Sequence, residues 1–273
     1  MFASVRDFKN RIDYSIRNAI CLSRGGYSES GTTLELAVSR YGLNETKLLH
    51  ELCSRYHFYK YLNKLAETSL LDNLSHLLLL DRISSNFAVE APAVETILDV
   101  GSKNFCYCLA IREFFYRLKA SSSGCPAEGE NIEITGIEID PHRMYSNLYC
   151  RKAYAEYYMK LCPSAVFLEG DFTTFEFNKK FDLITNFYPF VVSGPLVDWG
   201  LPKRFFNPAG MIKRVVELLR ADGLYFMTNV SQREFDAADG LLKDRFFPVE
   251  KIRVVSELTG IDPVFVSLYK KIG

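Results

Sequence analysis

The sequence predicts an α/β protein with a seven-stranded, mainly parallel sheet, helices on both faces, an antiparallel terminal strand and an N-terminal helical subdomain. Three observations lead to this fold class. Leucine and tyrosine side chains before residue 91 recur at three- and four-residue steps, the spacing of a buried helical stripe. From residue 92 onward, short β-branched runs alternate with helical stretches, as in βαβ units. Only residues 258–263 separate the last two strands, too few for a helical crossover, so we expect these strands to pair antiparallel.

Local patterns then place each element in order. Helices fill most of residues 1–90, with a loop at 24–31 and a helix that Thr32 or Thr33 caps. The strands that follow are expected at 94–100, 132–139, 165–168, 181–185, 224–230, 252–256 and 264–269. The intervening helices are expected at 105–120, at 141–161 beginning with Pro141, at 211–220 ended by Asp222-Gly223, and at 234–246. Residues 121–130, rich in Ser, Gly and Pro, are interpreted as a surface loop.

The composition argues against several classes of protein. The 33 Lys and Arg residues balance 33 Asp and Glu residues, so no net positive charge attracts a nucleic-acid backbone. Clean apolar runs such as 77–80 are far shorter than the roughly 20 residues of a membrane-spanning helix. The first residues become charged before an apolar signal segment forms, and seven scattered cysteines favour reduced thiols. We therefore expect a cytoplasmic protein with a helical cap at 1–91 and an α/β domain at 92–273.

Acidic and amide side chains stand where the predicted strands end. In an open parallel sheet, ligands bind beyond the carboxyl ends of the strands, near the change in strand order. Asp99, Glu138, Asp171 and Asn186 occupy the ends of four successive predicted strands. We therefore expect a ligand site at this edge of the sheet.

Over roughly residues 92–273, the chain resembles the class I S-adenosylmethionine-dependent methyltransferases, whose fold is Rossmann-like. The matching segments occur in the family's order: Asp99-Val-Gly101, the run 136–141 (Gly-Ile-Glu-Ile-Asp-Pro), Gly170-Asp171-Phe172, the run 181–184 (Phe-Asp-Leu-Ile) and the run 218–224 before the fifth strand. The resemblance implies S-adenosyl-L-methionine as the cofactor and a methyltransferase activity of class EC 2.1.1.

The resemblance also implies roles for individual residues. Asp99 would orient the amino-acid end of the cofactor, and Gly101 would let the backbone approach it where a Cβ would clash. Glu138 would accept hydrogen bonds from both ribose hydroxyls, which suits a carboxylate with two acceptor oxygens. Asp171 would receive the adenine amino group, and Phe172 would lie against the adenine ring.

The first turn contains fewer glycines than the family's two or three. Gly101 is followed by Ser102, Lys103 and Asn104. Lys103 would pair with the carboxylate of the cofactor's methionine, while Asn104 tolerates a positive φ better than most residues. Ser102 and, at the end of the second strand, Ile139 complete the expected cofactor contacts.

The segment 186–190 (Asn-Phe-Tyr-Pro-Phe) is similar to the Asn-Pro-Pro-Tyr/Phe signature of amino-group methyltransferases. One proline of the pair is missing, so amino-nitrogen chemistry and an ordinary pocket-lining loop both stay open. Asn186 and Tyr188 are expected beside the sulfonium and the methyl acceptor, with Asn186 also contacting the cofactor. An oxygen acceptor would need a base, for which Tyr188 and His142 are the candidates.

The acceptor is expected to be a small, partly apolar or aromatic molecule, because the N-terminal helices offer Leu, Phe and Tyr rather than basic clusters. Two alternatives stay open: a non-catalytic S-adenosylmethionine-binding or scaffold protein with a degenerate glycine turn, and a protein or RNA methyltransferase. No metal site is expected, because His50, Cys53 and His57 share a helix face without a fourth ligand. The sequence leaves the oligomeric state open.

Overall fold

The computed structural model describes residues 2–90, 94–123 and 132–272. Its N-terminal part contains α1 (Phe2–Ile20), α2 (Leu34–Val38), α3 (Leu43–Arg55), α4 (Glu67–Asp81) and α5 (Ser84–Glu90). The remainder contains β1 (Thr96–Val100), α6 (Cys108–Ser123), β2 (Glu133–Glu138), α7 (Arg151–Leu161), β3 (Ala165–Glu169), β4 (Phe181–Phe187), α8 (Ser193–Asp198), α9 (Pro208–Leu218), β5 (Leu219–Asn229), α10 (Gln232–Leu242), β6 (Phe246–Val254) and β7 (Val264–Lys271). Within these described ranges, no helix is long and apolar enough to cross a membrane.

The seven strands form one sheet in the order β3-β2-β1-β4-β5-β7-β6. Strands β1 to β5 pair in parallel, whereas β7 is antiparallel to both of its neighbours, β5 and β6. This arrangement confirms the predicted fold class. The chain builds one side of the sheet from β1 to β3 and crosses back to β4, so the strand order changes between β1 and β4, where such sheets bind ligands.

Helices cover both faces of the sheet because successive strand residues point to opposite sides. In β1, Ile97 packs into a core that also holds side chains of α4, α5 and α6. Its neighbours Leu98 and Val100 enter a second core with side chains of α9 and α10. The N-terminal helices thus share the first core with the sheet. The predicted division at residue 91 lies outside the described residues.

Most predicted elements are present, and Thr33 caps α2 by accepting a hydrogen bond from Leu36 N at 3.2 Å. The helix predicted at 141–161 is wrong in its first half, because α7 begins only at Arg151. Residues 141–150 instead form turns closed by a bridge between Met144 and Cys150, with Leu148 at φ 66°. A residue in the left-handed region ends a helical path, so the Pro141 start signal is overridden.

Two predicted helix ends also shift. Asp222-Gly223 does not end α9, because β5 begins directly at Leu219 and continues through both residues. Phe246, predicted as the last residue of a helix, is the first residue of β6 and pairs with Lys271. Pairing with a distant strand decides both boundaries, and local patterns do not report it. Of the predicted loop at 121–130, residues 121–123 continue α6, and the rest lies outside the described residues.

Candidate functional site

A cavity of about 420 Å³ lies beyond the carboxyl ends of β1, β2, β3 and β4. Its volume falls within the range of small-molecule sites. The structure brings most of the predicted site residues together in its walls: Gly101, Lys103, Glu138, Ile139, Asp171, Phe172, Asn186 and Tyr188. Helix α4, the stretch from α8 to α9 and residues of the segments 230–234 and 259–261 complete the enclosure.

The first turn uses glycine for its backbone conformation. Gly101 has φ 76°, and no atom lies within 4 Å of a Cβ built there, so the left-handed backbone rather than a clash with the protein favours glycine. The prediction that Asn104 takes the positive φ is wrong, because Lys103 and Phe105 do so at 55° and 61°. A Cβ on Gly136 would lie 2.5 Å from the Phe105 ring. Glycine on the neighbouring strand therefore makes room for this turn.

Two predicted cofactor residues, Asp99 and Ser102, lie behind the cavity wall and do not line it. Asp99 is fully buried and accepts a hydrogen bond from the Thr185 hydroxyl at 2.8 Å, while its Oδ2 has no partner among the described residues. Burial raises the pKa of Asp99 to about 6. Ser102 donates to the Asp99 carbonyl oxygen at 2.8 Å. Both residues therefore stabilise the first turn through hydrogen bonds made outside the cavity.

Glu138 lines the cavity and is nearly saturated by the protein. Its Oε1 accepts from Asp140 N and from the Arg151 guanidinium, and its Oε2 accepts from Lys103 N, each at 2.8 Å. A carboxylate offers about four acceptor positions, so one remains on Oε2. Glu138 can therefore accept a direct hydrogen bond from one of the two ribose hydroxyls that the prediction assigns to it. Sequence reasoning missed Arg151, whose only signal is its position at the start of α7.

The end of β3 presents a second carboxylate to the same cavity. Asp171 Oδ1 accepts from the backbone and hydroxyl of Thr173 at 2.8 and 2.7 Å. Its Oδ2 makes no hydrogen bond within the described part of the chain. The neighbouring Phe172 is buried with an edge in the cavity wall. This pair is arranged to take a polar group and a planar ring.

The side of the cavity nearest β4 contains a histidine that sequence reasoning missed. His76 of α4 has its Nδ1 at 2.6 Å from the Asp72 carbonyl oxygen. A carbonyl only accepts, so Nδ1 carries the proton and Nε2 of the neutral ring is an acceptor. The ring stacks on Tyr107 with centroids 4.0 Å apart and meets the edge of Phe187 at 4.4 Å. Burial lowers the pKa of His76 to about 4, so the ring is neutral at pH 7.

Of the two predicted bases, Tyr188 and His142, the structure places only Tyr188 in the cavity wall. Tyr188 lines the cavity with φ 60°, and burial raises its pKa, which keeps the phenol protonated. His142 is outside the cavity wall, with Nε2 3.2 Å from a Glu169 oxygen. Asn186 lines the cavity and directs its amide nitrogen to the Met211 sulfur at 3.3 Å.

Helix α1 holds the segment that follows β2. The Tyr14 hydroxyl donates to the Ile139 carbonyl oxygen at 3.0 Å. Arg17 makes a bidentate pair with the buried Asp140 at 2.6 and 2.7 Å. Trp199, in the loop after α8, lies over the Arg151 guanidinium at 5.4 Å. These contacts fix the cavity wall around Glu138.

No family model matches the chain, and no curated protein matches its sequence. Many solved structures match its fold. One is a Listeria monocytogenes protein whose name assigns it provisionally to the class I S-adenosylmethionine-dependent methyltransferases. Its sequence is 11% identical to this chain, and the TM-score is 0.52. The match covers 86% of this chain and 70% of the Listeria protein. Another is the N-methyltransferase NodS from Bradyrhizobium japonicum in complex with S-adenosyl-L-homocysteine, 14% identical with a TM-score of 0.47, covering 72% and 86%.

The chain has the class I methyltransferase fold. The cavity of this methyltransferase fold lies at the carboxyl edge of the sheet, beside the change in strand order.

The described residues contain no group of three or more His, Cys, Asp or Glu side chains arranged to hold a metal ion. His57 lies beyond the end of α3 with φ 53°, so it does not share a helix face with His50 and Cys53 as predicted.

Proposed function

We propose that the chain is a cytoplasmic S-adenosylmethionine-dependent methyltransferase that acts on a small, partly apolar or aromatic acceptor. The observation that carries this proposal is the convergence of Gly101, Glu138 and Asp171 on one cavity of the methyltransferase fold. They come from three adjacent strand ends and present an open backbone and two carboxylates with free acceptor positions.

The residues present fit this cofactor. Glu138 Oε2 is placed to accept from a ribose hydroxyl, and Asp171 Oδ2 from the adenine amino group. Lys103 Nζ lies 3.7 Å from Asp72 with 38% of its side chain exposed, so it can exchange this weak pairing for a ligand carboxylate. S-adenosylmethionine supplies a methyl group that its sulfonium already activates. The protein's contribution is alignment of the acceptor and exclusion of water.

Aromatic side chains surround the proposed acceptor position: His76, Phe187, Tyr188 and Phe190 line that part of the cavity. His76 lines this part of the cavity, and its ring carries its proton on Nδ1, which leaves Nε2 free to accept the proton that an acceptor hydroxyl or amine loses during methylation. We therefore assign to His76 the proton-accepting role that is predicted above for Tyr188 or His142. Because His76 belongs to α4, this assignment gives the helical region 1–91 its proposed role as a cap over the acceptor.

The cavity favours a small acceptor over RNA. The two Lys and Arg side chains that line it, Lys103 and Arg151, both pair with carboxylates, those of Asp72 and Glu138. No uncompensated positive charge on these walls attracts a phosphate backbone.

Calorimetric titration with S-adenosylmethionine tests the proposal. We expect binding, and Glu138→Gln should raise the Kd about tenfold, since it removes a charge-assisted hydrogen bond. Glu169→Gln is the matched control, because Glu169 ends the adjacent strand but pairs with Lys152 outside the cavity walls. Folded protein that shows neither heat nor a thermal shift would contradict the proposal.

The backbone of the first turn is in the left-handed region at Lys103 and Phe105, where glycine would be favoured. This glycine-poor turn favours one alternative, a non-catalytic S-adenosylmethionine-binding protein. Tight binding of S-adenosylmethionine without methyl transfer to a panel of phenols, catechols and aromatic amines would support it.

A further inference from the structure

Helix α1 carries an apolar face that points away from the protein. Val5, Phe8, Ile12, Ile16 and Ile20 follow one another at three- and four-residue steps and are 64, 64, 44, 52 and 56% exposed. This spacing puts them on one side of the helix, over a length of about 22 Å. Contiguous exposed apolar surface of this kind marks an interaction site.

The opposite face of α1 is polar and fixes the rotation of the helix. Asn10 donates to the carbonyl oxygens of Val197 and Leu201 at 2.9 and 3.1 Å. Tyr14 and Arg17 bond to the segment after β2, as described above. Turning the apolar face inward would break all of these bonds and bury polar groups without partners, which is costly. The apolar face is therefore a stable surface feature.

We propose that this face binds the same face of a second copy of the chain, with the two α1 helices antiparallel across a two-fold axis near Ile12. Such an axis places Ile12 against its own copy, and it places Phe8 beside Ile16 of the second copy, a contact that occurs twice. Residues 8, 12, 16 and 20 form an i+4 ridge, the type of ridge that interdigitates in the commonest class of helix packing.

Charge complementarity favours a second copy in the antiparallel arrangement. Lys9 and Asp13 flank the apolar face on the same side, and neither has a partner within the described residues. In a parallel pair, this flank of one copy would lie on the opposite side of the interface from the same flank of the other copy, so Lys9 and Asp13 would not meet across it. An antiparallel pair brings Lys9 of one copy within one helical turn of Asp13 of the other, so two ion pairs form across the interface.

The same charges disfavour a lipid surface as the occupant. Arg6, Arg11 and Arg17 are already in ion pairs with acidic side chains of the protein. Among the basic residues of α1, this leaves Lys9 without an ion pair within the described residues, and the negative charge of Asp13 one helical turn away offsets its positive charge. Attraction to anionic lipid amounts to about 1 kcal/mol per basic residue, so α1 offers a membrane little electrostatic binding energy.

Sedimentation velocity of the full chain tests the dimer. We expect a species of twice 31.3 kDa at micromolar concentrations. Ile12→Asp should raise the dimer dissociation constant by about 100-fold, because two carboxylates would meet at the centre of the interface. Leu43→Asp, which adds the same charge at an exposed apolar residue of α3, should leave the dimer intact.

A charge swap provides the second test and guards against a folding defect in Ile12→Asp. Lys9→Glu should weaken the dimer, and the double variant Lys9→Glu/Asp13→Lys should restore it, because both positions are exposed and the swap preserves their complementarity. A monomeric wild type, or a dimer unaffected by Ile12→Asp and by Lys9→Glu, would overturn the proposal. A monomer that co-sediments with phosphatidylglycerol vesicles would identify a membrane as the occupant instead. None of these results depends on methyl transfer.

Discussion

Replacement of Arg151 with Met tests the buried ion pair at the cavity wall. Arg151 is 2% exposed, and its guanidinium lies 2.8 Å from Glu138, which is 4% exposed. Methionine preserves most of the side-chain volume and removes the charge. The substitution therefore leaves the Glu138 carboxylate buried without its cation.

The expected cost follows from this geometry. Breaking a buried pair by removing one partner destabilises a protein by about 3–5 kcal/mol, because the other charge loses its compensation. Glu138 retains the hydrogen bonds from Lys103 N and Asp140 N. We therefore expect the lower end, about 3 kcal/mol. Adding Glu138→Gln removes the stranded charge, so the double variant should be more stable than Arg151→Met alone, with a coupling above about 1 kcal/mol.

Urea unfolding followed by far-UV circular dichroism measures these free energies. Arg40→Met is the matched control, because Arg40 pairs with Glu67 at the surface with 53% of its side chain exposed, and such pairs contribute about 0–1 kcal/mol. If Arg151→Met costs less than about 1 kcal/mol, or if Glu138→Gln fails to rescue it, the reasoning about a desolvated pair is refuted.

Three further predictions concern the same region. Burial raises the pKa of Asp99 to about 6 from 3.8, so protonation of Asp99 stabilises the fold as the pH falls from 6 to 4. The unfolding free energy of the wild type relative to Asp99→Asn should rise by about 2 kcal/mol over this window, and a flat difference contradicts the assignment. His76 should appear in long-range ¹H–¹⁵N NMR spectra as the neutral Nδ1–H tautomer at pH 7 and protonate only near pH 4, so a doubly protonated ring at pH 6 would disprove it. Gly136→Ala should cost about 1–3 kcal/mol in urea unfolding, since its Cβ would lie 2.5 Å from the Phe105 ring, whereas Gly194→Ala, with no atom within 4 Å, should not destabilise.

Much of the site is predictable because it is built from strand ends. Glu138 and Asp171 each follow a short apolar run, and parallel strands bring their carboxyl ends to one edge. Asp99 occupies the same kind of position, yet it lies behind the wall. Its carboxylate instead accepts a hydrogen bond from Thr185 of the neighbouring strand. Strand position is encoded locally, but the direction of a terminal side chain depends on the neighbouring strand.

Local sequence patterns predict the strand–helix alternation, the antiparallel end of the sheet and the carboxylates at the strand ends, because these depend on the spacing of neighbouring residues. Which groups contact those carboxylates is set by the packing of the elements. Arg151 reaches Glu138, His76 reaches the cavity from a helix 110 positions before Asn186, and α1 turns its polar face inward, through contacts between residues far apart in the chain. Hydrogen bonds and ion pairs of this kind form only once the elements have packed, so no local pattern records them.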